Sequence, residues 1–203
     1  MFSLLRRNVR PNLYRGAVLG LVGGFAGVLA MGQYWVRAAP LLTPESEDAE
    51  GDGGEAQRPQ PDQPQPDQNV ISPFGQQHEP GETSTAAMGR RLYTAITGKT
   101  PGTETRTALS EGVHWGFGIL SGALYGALTA RHSGRPAAGP LTGIAFGAAL
   151  WALNDEGLVP LLGLQDGPAA SSVSGHLNRL GAHLFYGAAL GMGVWALDRI
   201  KPE

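Results

Sequence analysis

Three histidines and an adjacent pair of carboxylates stand at the ends of long apolar stretches, where their side chains could carry out chemistry. The carboxylates are Asp155 and Glu156, and two of the histidines, His176 and His183, lie seven positions apart. On a helix this separation brings both side chains to one face, because seven steps of about 100° end close to two full turns. His114 is the third histidine, and these five residues form the candidate site.

Imidazole and carboxylate groups together suggest two kinds of site. One is a divalent metal site, since zinc and similar ions accept both ligands. The other is a proton-responsive cluster, since histidine titrates near mildly acidic pH. The structural alternative, which we favour, is that each group caps or anchors its own helix end close to lipid headgroups. The metal interpretation comes last, because the sequence has no compact ligand spacing such as HExxH.

The sequence contains no motif that is typical of an enzyme or of a cofactor site. It has no phosphate-binding loop, no GxSxG sequence and no cysteine. We therefore predict no catalytic residue, no resident metal and no cofactor. The formal net charge is −2, so the chain also lacks the basic character of a nucleic-acid-binding protein.

The elements that would position the candidate site are four stretches without any Lys, Arg, Asp or Glu. As helices, stretches of this length can cross the hydrocarbon core of a bilayer, which is about 30 Å thick. We predict an all-α fold: a four-span transmembrane helical bundle, with the third span ending at Asp155 and Glu156 and Pro160 in the following loop. The four stretches are Gly16–Val36, Gly112–Ala130, Pro136–Asn154 and Leu180–Leu197.

The chain divides into three parts. Residues 1–37 combine a basic tail with the first span, which we interpret as a retained anchor because its apolar run is too long for a signal peptide. Residues 38–85 are rich in Pro, Gln and acidic residues and repeat PQPDQ, which predicts a disordered external linker. Residues 86–203 begin with a short external amphipathic helix that ends at Gly98 and continue into spans two to four.

Lysine and arginine in the short loops predict the orientation of the bundle. The N-terminal tail, the turn at 131–135 and the C-terminal tail all carry basic residues, and all three lie on one side if four segments span the membrane. Because basic loops stay inside, we expect both termini in the cytoplasm and the linker outside. The bilayer is then the main partner of the chain.

Glycine recurs every fourth residue in all four stretches. Small residues at this spacing let helices approach closely in lipid, where hydrophobicity contributes little to helix association. The pattern predicts glycine-stripe packing, either within one chain or in a homo-oligomer. The residues to which we assign this role are Gly20, Gly24, Gly118, Gly122, Gly126, Gly143, Gly147, Gly187 and Gly191.

Several strings resemble the YagU-like family of bacterial inner membrane proteins. They are Arg15–Met31 (RGAVLGLVGGFAGVLAM), His114–Gly126 (HWGFGILSGALYG), Trp151–Gly163 (WALNDEGLVPLLG) and His183–Gly187 (HLFYG). The resemblance implies a multi-pass protein of the bacterial inner membrane and brings no reaction, substrate or catalytic residue. We expect a structural or stress-related role. The alternative is a small channel or transporter for protons or metal ions, which would use the histidine and carboxylate cluster at the outer mouth of the bundle.

Overall fold

The computed structural model describes residues 12–42, 70–130 and 139–200. These residues form five helices and no strand, which confirms the predicted all-α class. The helices are α1 (Leu13–Gln33, continued by a π-helical turn at Tyr34–Ala38 and by Ala39–Leu42), α2 (Ser84–Thr97), α3 (Thr103–Ala130), α4 (Pro140–Leu150, continued by a π-helical segment at Trp151–Leu158 and by Val159–Leu161) and α5 (Val173–Arg199).

Side-chain caps fix where three of these helices begin. The Oδ1 atom of Asn12 accepts a hydrogen bond from the backbone N–H of Arg15 at 2.9 Å, and Thr83 and Ser172 cap α2 and α5 in the same way. Such caps satisfy backbone donors that the first helical turn leaves unpaired. Gly98 ends α2 at a φ of +69°, a conformation that glycine adopts without strain. The predicted short helix that stops at Gly98 is thus observed, whereas its external position stays a prediction.

Helices α1 and α3 run antiparallel and approach each other backbone to backbone. A Cβ atom built on Gly122 of α3 would overlap the carbonyl oxygen of Gly20 and lie 2.6 Å from the Cα atom of Gly24. Gly126 faces Gly16 in the same manner, one turn further along. Only glycine allows this separation, because any side chain would press on main-chain atoms of the partner helix.

Helices α4 and α5 form a second pair of the same kind. A Cβ atom built on Gly143 would overlap the carbonyl oxygen of Gly187 and lie 2.8 Å from the Cα atom of Gly191. The two pairs are joined by α1 and α5, which bury the side chains of Tyr186 and Leu190 between them. Tyr186 also donates a hydrogen bond of 2.6 Å to the carbonyl oxygen of Gly118, so it links α5 to α3.

Two segments are long and apolar enough to cross a membrane: Leu13–Leu41 and Val173–Arg199. They are identified by length and composition, which gives weak support for a membrane location. The predicted second and third spans do not meet the same criteria within the described residues, and the regular α-helical part of α4 has only 11 residues. The four-span arrangement therefore stays a prediction.

The end of α4 differs from the expected loop at Asp155 and Glu156. The helix continues beyond these residues to Leu161 through the π-helical segment, in which Val159 donates its backbone N–H to the carbonyl oxygen of Asn154. The physical reason is Pro160, because a proline ring clashes with the carbonyl group four residues earlier in an α-helix. A wider π-helical turn separates these groups and lets the helix go on past the proline.

The described part of the predicted linker packs against the bundle. We refer to residues 70–83 as the covering segment; the prediction of disorder for residues 43–69 lies outside the described residues. Gln77 donates its backbone N–H to the carbonyl oxygen of Gly163 at 2.8 Å. Gly163 has a φ of +72°, and a Cβ atom there would overlap the carbonyl oxygen of Gly75, so this contact requires glycine.

Candidate functional site

A cavity of about 450 Å³ lies at one end of the bundle, between α1, α3, α4 and α5 and beneath the covering segment and α2. Its inner wall is largely apolar and aromatic, and it includes Val28, Met31, Phe117, Leu150 and Tyr186. Its upper wall is polar and carries three of the five candidate residues. Cavities of this size and composition are typical of small-molecule sites.

Asp155 faces the cavity from the π-helical segment of α4. Its Oδ1 atom accepts a hydrogen bond from the side-chain amide of Asn154 at 2.9 Å, and its Oδ2 atom lies 3.7 Å from Nε2 of His183. The Nδ1 atom of His183 lies 2.9 Å from the carbonyl oxygen of Arg179, which can only accept, so Nδ1 carries a proton and donates. The other ring nitrogen of His183 therefore points toward Asp155, at a distance too long for a hydrogen bond.

His114 lines the same cavity from α3. The carboxylates of Glu111 and Asp155 are the charges that act on its ring. The negative charge of Asp155 therefore acts on His114 of α3 as well as on His183 of α5. This set, His114 with Asp155 and His183, is called the inner cluster below.

Glu156 and His176 form a second group, adjacent to the inner cluster. The Oε1 atom of Glu156 lies 2.7 Å from Nδ1 of His176 and 3.5 Å from Nη2 of Arg179. The Nε2 atom of His176 lies 3.0 Å from the carbonyl oxygen of Pro168, and Ser171 accepts a hydrogen bond from Arg179 at 3.0 Å. These contacts fix the start of α5 to α4 and to the short 3₁₀ turn at Pro168–Ala170.

The five candidate residues are therefore divided between two neighbouring groups. Seven positions of separation do place His176 and His183 along one side of α5, but they meet different carboxylates because Glu156 and Asp155 point in different directions. Arg179 lies between the groups, since its side chain contacts Glu156 and its carbonyl oxygen accepts from His183. Within the described residues, no group of three His, Cys, Asp or Glu side chains converges closely enough to hold a metal ion.

The sequence did not identify two residues that help to close the cavity. His78 of the covering segment lies 3.3 Å from the carboxylate of Asp166, and both line the cavity. The position of His78 depends on residues 70–83 folding back onto the loop after α4, which no local pattern indicates. The π-helical segments were also missed, although Pro160 soon after a carboxylate pair was a signal for one of them.

An ion-pair network holds the covering segment in place. Arg90 of α2 donates two hydrogen bonds of 2.8 Å to the two carboxylate oxygens of Glu82, a bidentate arrangement that raises the pKa of Arg90. Arg106 of α3 donates a hydrogen bond of 2.6 Å to Glu79. This hydrogen bond, together with the nearby charges of Arg90 and Arg106, lowers the pKa of Glu79, and burial opposes the shift.

Comparisons of the chain with protein families, with curated proteins and with solved structures return no match.

Proposed function

We propose that this chain is a multi-pass protein of the bacterial inner membrane, with four spans and both termini in the cytoplasm. The observation that supports this most directly is the division of α1 into two faces. Its buried positions are mostly glycines, whereas Val22, Phe25 and Leu29 are each about half exposed. A lipid environment favours an apolar outer face around a close-packed interior, because lipid solvates exposed apolar side chains and water does not.

The proposed role is structural or stress-related. The two glycine-faced pairs, α1 with α3 and α4 with α5, support a compact bundle that maintains its shape through backbone contacts. The apolar face of α2 fits a position on the membrane surface, since Leu92 and Ile96 are exposed while Arg91 and Lys99 lie close by.

The test is a set of reporter fusions combined with carbonate extraction of membranes. We expect a reporter fused after Glu203 to be active in the cytoplasm and a reporter inserted at residue 70 to be active outside. The protein should stay in the membrane fraction at alkaline pH. An external C-terminus would overturn the orientation, and extraction into the soluble fraction would overturn the membrane assignment.

A second candidate function is proton-responsive conduction or transport, and the inner cluster is the observation that favours it. Nε2 of His183 lies 3.7 Å from Oδ2 of Asp155, and His114 lines the same cavity from another helix. A proton added to Nε2 of His183 would give Asp155 a hydrogen-bonding partner of opposite charge. Protonation would therefore draw α4 and α5 together at the cavity.

A double-mutant cycle tests this coupling. We expect His183→Ala to be less destabilising in the Asp155→Asn background than in the wild type, with an interaction free energy in the range of about 0.5–3 kcal/mol. His176→Ala is the matched control, because its carboxylate partner is Glu156, and its effect should add to that of Asp155→Asn. Proton flux in proteoliposomes should fall in His183→Ala. Additivity of His183→Ala and Asp155→Asn, with unchanged flux, would remove this candidate.

A further inference from the structure

We propose that the cavity binds a small organic cation, a molecule with an ammonium group attached to an apolar or aromatic body. The proposal rests on the membrane bundle described above, because the same helix pairs form the walls of the cavity. It goes beyond a structural role and names the class of ligand that the cavity accepts.

The charges around the cavity favour a cation. Glu82 is paired with Arg90 at 2.8 Å, and Glu156 is paired with Arg179 at 3.5 Å. Asp155 and Asp166 remain, and their partners in the described structure are histidines, His183 at 3.7 Å and His78 at 3.3 Å. With neutral histidines the cavity therefore carries two uncompensated negative charges. A ligand with a positive charge would stabilise this arrangement, and an anion would be repelled by it.

Asp155 is the anchor for the cationic group. Its side chain is only 17% exposed, so its charge is poorly screened by water and interacts strongly with a charge inside the cavity. Its Oδ1 atom accepts a hydrogen bond from Asn154, whereas its Oδ2 atom lies 3.7 Å from Nε2 of His183, which is too far for a hydrogen bond. Asp166 is 40% exposed and lies closer to the surface, where it would attract the ligand rather than hold it.

The walls of the cavity suit the remainder of such a ligand. Trp35, Phe117 and Tyr186 supply aromatic surfaces, and Met31 and Leu150 supply flexible aliphatic ones. Aromatic faces attract cations, and the attraction is strongest where water is excluded. A volume of about 450 Å³ accommodates one ring system with a substituted nitrogen, and is at the lower end of the range for drug-sized ligands.

Arg179 does not turn the cavity into an anion site. Its Nη2 atom already contacts Glu156 and Ser171, and its Nε atom is buried without a hydrogen-bond partner in the described structure. The Glu156 carboxylate, 3.5 Å from Nη2, offsets the positive charge of the guanidinium group, so Arg179 attracts an anion less than an unpaired arginine would.

Calorimetric titration of the full-length protein in detergent tests the proposal. The probe is benzyltrimethylammonium, and the matched control ligand is benzylsulfonate, which has the same ring with the opposite charge. We expect saturable binding of one cation per chain and no binding of the sulfonate. Equal binding of both compounds would overturn the proposal, as would heat changes that increase linearly with either compound, since these indicate partition into the micelle.

Two variants locate the site. Asp155→Asn should raise the dissociation constant of the cation by at least about tenfold. Removing one member of a buried charge pair typically weakens binding by more than this. Asp198→Asn is the matched control, because Asp198 is the exposed partner of Arg15 at the opposite end of the bundle. Unchanged binding in Asp155→Asn would overturn the proposal.

A third variant covers the case in which Asp155→Asn does not fold. Val113→Trp fills the cavity from α3 without altering any charge and should abolish cation binding; binding that persists in it would overturn the proposal. Carbonate extraction of membranes from the cells that supply the wild-type protein separates the two proposals. A protein that stays in the membrane but binds no cation contradicts the ligand assignment alone, whereas a protein that leaves the membrane contradicts the bundle.

Discussion

Replacing Gly122 by alanine tests whether close backbone contact between α1 and α3 holds the bundle together. The added Cβ atom would overlap the carbonyl oxygen of Gly20 and would lie 2.6 Å from the Cα atom of Gly24. Both obstacles are main-chain atoms of α1, so no side-chain rotation can relieve the overlap. The two helices must separate, and the contacts of neighbouring turns weaken with them.

The expected cost can be estimated from overpacking in protein interiors, which destabilises by about 1–3 kcal/mol. Gly116→Ala in the same helix is the matched control, because a Cβ atom at Gly116 meets nothing within 4 Å. Alanine has a higher helix propensity than glycine by up to about 1 kcal/mol, so this control should be neutral or slightly stabilising. The two alanine variants differ only in position, and the predicted difference between them is at least about 1 kcal/mol.

The assay is reversible unfolding of the purified protein in mixed micelles, followed by helical circular dichroism. We expect Gly122→Ala to lower the free energy of unfolding and Gly116→Ala to leave it unchanged or raise it. Size-exclusion chromatography with light scattering should give the same oligomeric state for both, because Gly20 and Gly122 meet within one chain. Equal stability of the two variants would refute the reasoning, and so would a change in oligomeric state in Gly122→Ala alone.

Two further predictions concern the covering segment. Deleting residues 44–68 should leave the thermal midpoint unchanged. Extending the deletion to residue 82 should lower the midpoint, because it removes Glu79 and Glu82 from their ion pairs with Arg106 and Arg90. Equal midpoints for the two deletions would contradict this prediction. Acidification should weaken the Glu79–Arg106 contact, because the pKa of Glu79 is lowered in the folded protein. The stabilisation by ionised Glu79 is fully present above the pKa of the unfolded chain, about 4.3, and is lost as the pH falls through the lower pKa of the folded protein. Glu79→Gln should therefore lose less stability than the wild type between roughly pH 7 and pH 3, which parallel unfolding curves for the two proteins would disprove.

Periodicity and capping were sufficient to predict most of the helices. The sequence predicts that α2 stops at Gly98, as observed, because helices often end at a glycine that adopts a left-handed φ. The continuation of α4 past Asp155 was not predicted, since a carboxylate pair followed by Pro160 has the same sequence pattern as a helix end. A π-helical turn is decided by how the proline ring meets the preceding carbonyl group, and hydrophobic periodicity does not contain that information.

The candidate site could be predicted only as a set of residue types at helix ends. Sequence spacing correctly placed His176 and His183 along one side of α5, but it could not show which carboxylate each histidine meets. That choice depends on how α4 and α5 are oriented toward each other, since adjacent residues such as Asp155 and Glu156 point in different directions on any helix. The contribution of His78 could not be predicted, because it arises from a contact between segments that are distant in the sequence.

The cavity and the glycine stripes are two consequences of one sequence pattern. In α1 and α3 the close contacts run from Gly16 with Gly126 to Gly24 with Gly118, and beyond this point the facing residues are large, such as Met31 and His114. In α4 and α5 the close contacts likewise stop near Gly147, and larger cavity-lining residues follow, among them Leu150, Asn154 and Asp155. The backbones of each pair therefore approach closely at one end, and larger side chains line the space between the helices at the other end. The polar residues of the inner cluster occur where that space opens, so the same spacing that closes the bundle also determines where a ligand could enter it.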